Sequence, residues 1–237
     1  MEYALYLESG PMRRKTMVHV FDLLGCVAVG QTTEAALDST PGAIRAYLRF
    51  LQRHGEPVDP AARISTRLAQ HIAETAIFIG QGSPYITFEP DLESVSESES
   101  ETFLARFRWM REELAAWVET QSDNQVDAKP ENGRSAGGVV LHVMSVGGYL
   151  SAALGGAPGF GTALGKAERG EISLADRLRT VAALAAERVR AATPEQRRAV
   201  LQRPQDVRTL RKALRRTLEH DWEHLTELSR RPGGPKL

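Results

Sequence analysis

Apolar positions change their period once along the chain. Up to about residue 90 short β-prone runs alternate with turn material: Glu2–Leu7, Thr16–Val20 and Cys26–Val29, separated by Ser9-Gly10-Pro11 and Leu24-Gly25, predict three strands. After Gly30, Thr32 or Thr33 can cap a helix that carries Ala36, Ile44, Tyr47, Leu48 and Leu51 and stops at Gly55 before Pro57. A later β-prone pair, Ala76–Ile79 and Tyr85–Phe88, brackets Gly80 to Pro84, and the stretch 61–75 shows no clear period. The first 90 residues therefore read as an α+β unit of ββ(β)α order with further strand.

From Phe103 the period is that of helices. Phe103, Phe107, Met110, Leu114 and Trp117 recur at steps of three and four, one apolar face. A second helix begins near Ser135 with Val139, Val143, Val146 and Leu150, and a third follows Ser173-Leu-Ala-Asp176, a capping pattern. Thr193-Pro194-Glu195 opens a short helix with proline at its first position. The last helix is predicted from about Val207 to Leu228, with a stripe of leucines at 210, 214, 218, 225 and 228. Four long amphipathic helices predict an all-α, up-down four-helix bundle over 102–229.

Between the two periods, 91–101 is acidic, serine-rich and nearly free of apolar residues, which predicts a linker; the tail 230–237, rich in proline and glycine, is expected to be disordered. The 237 residues carry no net formal charge, and residues 1–90 hold 8 basic against 9 acidic side chains, which disfavours a nucleic-acid partner. Arg208, Arg211, Lys212, Arg215 and Arg216 recur at helical spacing and read as a solvated helix face rather than a phosphate site. No apolar run approaches the roughly 20 residues that span a bilayer, and the start lacks the pattern of a signal peptide, so a cytoplasmic protein without membrane partner is expected. The single cysteine, Cys26, reads as a small buried hydrophobe.

The candidate chemistry lies in histidines. His220 and His224 are four apart in the last helix, so both rings leave the same side about one turn apart, as two imidazole ligands of one metal must. They fall on the shoulder of the leucine stripe, and His142 holds a similar place on the second helix beside Val139, Val146 and Tyr149. On spacing alone a satisfied core histidine is the first reading of His142. Asp221 is a candidate for orienting a ligand or acting as a base, whereas Glu223, with Glu112 and Glu113, reads as surface charge. His19, His54 and His71 have no partner at metal-ligand spacing.

Two stretches carry a resemblance to known families. Leu24-Gly25-Cys26-Val-Ala-Val-Gly30-Gln-Thr-Thr33-Glu34-Ala35, with Arg45-Ala-Tyr47-Leu-Arg-Phe50-Leu51 and Gly55-Glu56-Pro57, resembles the HicB-like fold, a relative of double-stranded RNA-binding domains found in antitoxins. Leu24 departs from the proline of its relatives, and the DNA-binding segment of an antitoxin is replaced by the helical part. The segments Val140-Leu141-His142-Val143 and Arg208 to Leu225, with His220-Asp-Trp-Glu-His224, resemble the second and last helices of DinB/YfiT-like bundles. That resemblance implies a divalent metal, zinc or nickel, on His142, His220 and His224, and an activity as a thiol-dependent S-transferase or isomerase acting with a low-molecular-weight thiol and an electrophile. It also implies a homodimer. Gly147-Gly148 stands where many relatives carry an acidic residue. The alternative is a non-enzymatic regulatory protein whose HicB-like domain recognises a partner, with the metal structural or absent.

Overall fold

The computed structural model describes the chain except residues 12–13, 74–81, 145–149, 151–152, 157–158 and 205, and of residues 14, 164, 167 and 168 the backbone only. The predicted strand Ala76–Ile79, Val146, Tyr149 and the glycines 147 and 148 lie outside the described residues.

Strands β1 (Glu2–Ser9), β2 (Arg14–Val20) and β3 (Val27–Thr32) form an antiparallel meander, with Leu5 opposite Val20 and Val18 opposite Ala28. The turn into β3 needs Gly25: its φ is +104° and a Cβ there would stand 2.3 Å from the Tyr47 hydroxyl, which donates to Leu24 O. Thr32 accepts from Ala35 N and starts α1 (Thr33–Arg53), which packs on β3 and β2. Strand β4 (Ser65–Ala73) then joins β1 in parallel, giving the order β3-β2-β1-β4. This edge strand is largely exposed, so no apolar alternation marked it in the sequence. The predicted strand at Tyr85–Phe88 does not form. That stretch is irregular and leads into a 3-10 turn at Glu89–Leu92, because Phe88 is drawn into a ring cluster with Tyr6, His19 and Phe21.

A helical region follows: α2 (Glu97–Glu119), α3 (Asp123–Asp127), α4 (Ala136–Met144), α5 (Phe160–Glu168), α6 (Leu174–Arg190), α7 (Pro194–Arg198) and α8 (Leu210–Ser229). The caps predicted at Ser173 and Thr193 are present. The last helix starts later than predicted. Val207 belongs to a hairpin of β5 (Leu201–Arg203) and β6 (Asp206–Arg208), and Thr209 caps the helix through Lys212 N. Helices α2 and α4 each pack against both α6 and α8. Among the described residues no helix is long and apolar enough to cross a membrane.

Three expectations about polar segments are corrected. The acidic stretch 91–101 is no free linker: Asp91 is fully buried and Ser96 with Glu99 forms the capping box of α2. The tail packs back on the helices, Gly233 O accepting from Trp117 Nε1 and Leu237 touching the core. The basic run is not a solvated face, since Arg211, Lys212, Arg215 and Arg216 are all buried and paired internally.

These pairs join the two regions. His19 on β2 meets Glu219 at 2.8 Å, Glu219 takes Arg215 at 2.8 Å, and Arg215 forks onto Asp91. Arg106 on α2 reaches Glu56 and Leu24 O, and the Tyr47 ring stands edge-on against Trp222 at 4.8 Å. One continuous apolar core runs from Leu5 and Leu7 through Tyr47 and Trp222 to Leu178 and Val189. The α+β unit is thus built into the helical region rather than tethered to it.

Candidate metal centre

Three imidazoles predicted from two distant stretches converge. His142 lies in the last turn of the short helix α4, whose first turn is tied by Ser135, its Oγ accepting from Gly138 N and its O from Val139 N. His220 and His224 sit one turn apart on α8, held by the buried leucine stripe and Trp222. One nitrogen of each ring lies within 4.8 Å of the others. The rings meet edge to face, with centroids 4.6 to 5.0 Å apart.

The detailed contacts suit ligation. His142 Nε2 and His220 Nε2 face each other at 3.1 Å, close to the roughly 3.3 Å between two nitrogens that each bind a tetrahedral ion at about 2.05 Å. Across His224, Nδ1 is 2.8 Å from Glu227 Oε2, so the carboxylate can accept a hydrogen bond from Nδ1–H and leave the lone pair on Nε2. Glu227 is held in turn by Arg231, and its contact with His224 first, then Arg231, brings its carboxyl down to about 2. His220 Nδ1 is buried without a hydrogen-bond partner among the described residues, Asp221 Oδ1 standing 3.9 Å away. Burial lowers His220 to about 4 and lowers His142, where Arg134 and His224 add to it. Both rings are therefore neutral near pH 7, the form that offers a lone pair.

Arg111, which the sequence reading passed over, fixes this arrangement. Its guanidinium forks onto Asp221, the residue after His220, and its Nη2 donates to Val143 O, the residue after His142, at 2.9 Å. A signal existed: position 111 is four after Phe107 and three before Leu114, inside the apolar stripe of α2. Asp221 is engaged by this contact, with its Oδ1 3.9 Å from His220 Nδ1. Glu223 departs from its expected role as surface charge: only 24% of its side chain is exposed, and burial pushes its carboxyl up to about 8. Of the remaining histidines, His19 pairs with Glu219, His54 with Glu113 and His71 with Ser9, and none joins the cluster. Cys26 is buried and burial raises its thiol well above the ordinary range, so it is no nucleophile.

A family profile described as the DinB superfamily matches residues 106–228, more than half of the chain and all three histidines. The chain belongs to the DinB superfamily. No curated protein and no solved structure matches it. The DinB match begins inside α2, after the α+β unit, and ends one residue short of the end of α8, so it covers α4 and α6 whole and most of α2 and α8.

Proposed function

We propose that this DinB-superfamily chain binds a divalent metal, zinc or nickel, through His142, His220 and His224, and uses it on a low-molecular-weight thiol as an S-transferase or isomerase. The observation that carries the metal is the convergence of three imidazoles, one of them oriented by a carboxylate through its far nitrogen. Three protein ligands leave coordination positions for water or substrate, which is the composition of catalytic rather than closed structural sites. Bound there, the ion would supply Lewis acidity that lowers the pKa of a water or thiol. Glu227 would hold His224 in the ligating tautomer, and Arg111 would hold the backbone beside the other two ligands. The thiol and the electrophile come from the family resemblance alone.

The same reading takes α2, α4, α6 and α8 as the up-down bundle, residues 1–90 as a HicB-like module and the protein as a cytoplasmic homodimer. The order β-β-β-α-β of the first unit supports the HicB-like likeness. Its burial against α8 favours a role as part of the site over that of a free recognition arm.

Cobalt-loaded protein titrated with a small thiol tests the catalytic reading, because a thiolate reaching the ion adds a sulfur-to-cobalt absorption band. That band is expected in the wild type. Cobalt bound through the histidines with no change on adding thiol would remove the thiol chemistry and leave a metal-binding protein.

A further inference from the structure

Beside the histidines, between the α+β unit and the second half of α8, lies an open cleft of about 460 Å³. One wall is β3 and α1, contributing Val27, Val29, Gly42, Ala43 and Ala46; the other is α8, contributing Trp222, Glu223, Thr226, Glu227 and Arg230. The first wall is built of small side chains, and a Cβ placed on Gly42 would meet nothing within 4 Å. The cleft is thus a trough with one wall of small, mostly apolar side chains and one polar wall that includes His224, wide enough for a ligand of several heavy atoms.

Two ionisable side chains stand in this trough without a hydrogen-bond partner among the described residues. The largely enclosed Glu223 carboxyl accepts no hydrogen bond among the described residues, the nearest guanidinium nitrogen, Arg216 Nη2, being 3.9 Å away. An enclosed carboxyl group without hydrogen bonds is costly, so a donor or cation is the group it would take up. At the mouth, the exposed Arg230 side chain makes no hydrogen bond or ion pair among the described residues. Glu227, between them, is already engaged by His224 and Arg231. Seven residues at 1.5 Å each separate Glu223 from Arg230, about 10 Å along one helix face.

We propose that this cleft binds a linear zwitterionic small molecule, its ammonium group on Glu223, its apolar chain along Ala43, Ala46 and Val29, and its carboxylate on Arg230. A single α-amino acid is too short to reach both charges; a short peptide or an ω-amino acid fits. The site is formed by both regions of the chain and does not depend on a bound metal.

Calorimetric titration of the full chain with 6-aminohexanoate tests this, with hexanoate, hexylamine and glycine beside it and metal content measured on the same samples. Saturable binding of 6-aminohexanoate is expected, about tenfold tighter than hexanoate or hexylamine, with glycine inert. Glu223→Gln should erase the preference over hexanoate, and Arg230→Ala the preference over hexylamine. Gly42→Leu should abolish binding without weakening the fold, since Gly42 is an exposed position inside α1 where leucine is the better helix former. Binding should persist in metal-free His142→Ala. The proposal is overturned if no probe binds up to concentrations of the order of 10 mM, if hexanoate binds as well as 6-aminohexanoate, or if Gly42→Leu binds like wild type. Metal-free wild type that still binds the probe would sink the metal reading alone, and metal-loaded protein that binds none would sink the cleft alone.

Discussion

Arg215 and Asp91 stand 124 positions apart in the chain and form one buried fork, Nε donating to Oδ1 at 2.7 Å and Nη2 to Oδ2 at 2.8 Å. Arg215 also holds Glu219, which holds His19, so a single chain of contacts runs from the turn before α2 through α8 to the sheet. Removing one partner of a buried pair leaves the other charge uncompensated, at a cost of about 3–5 kcal/mol. Asp91→Ala is expected to destabilise the protein by that amount in urea unfolding. Sheet and helices should still melt in one transition, because they share a core. A loss under about 1 kcal/mol, or two separated transitions, would contradict this account of the junction.

The same network sets an acid limit. Burial alone would raise the Glu219 carboxyl, but Arg215, then His19 and Arg216, outweigh it and hold the group far below the ordinary range. A carboxylate depressed in the folded state adds stability above its unfolded pKa, near 4.5, and loses it as the pH falls through the folded value. Unfolding free energy should therefore drop steeply below about pH 4.5. Glu219→Gln should be less stable at neutral pH with a shallower acid slope. Parallel slopes would show that other carboxylates dominate acid unfolding.

Arg111 ties down the residues that follow His142 and His220, so it should matter to metal affinity without touching a ligand atom. Substitutions in such supporting contacts typically cost 10- to 100-fold in affinity. Arg111→Lys, which keeps the charge but loses the fork, is expected to weaken cobalt binding by that range in a chelator competition. A loss of stability with unchanged affinity would make it an ordinary core ion pair.

Local signals in the sequence carried far. Thr32, Ser173 and Thr193 announce their helices because a cap acts within three residues. His142, His220 and His224 stood out because two share a helix face and the third falls in a recognisable stretch. What escaped depends on partners distant in the chain. Strand β4 is exposed and shows no alternation; only its pairing with β1 makes it a strand. Asp91 looked like linker charge and Arg215 and Arg216 like surface charge, since neither stretch reveals that the other neutralises it. Arg111 was visible as a charge inside an apolar stripe, but its purpose needs Asp221 and Val143 O in place.

The central claim is the three-histidine metal site, and elemental analysis of protein purified without an affinity tag tests it most directly, with His142→Ala, His220→Ala and His224→Ala beside the wild type. Near-stoichiometric zinc or nickel in the wild type, lost from all three folded variants, is the predicted result. Metal-free wild type that takes up neither ion on reconstitution, or metal retained by all three variants, would contradict it.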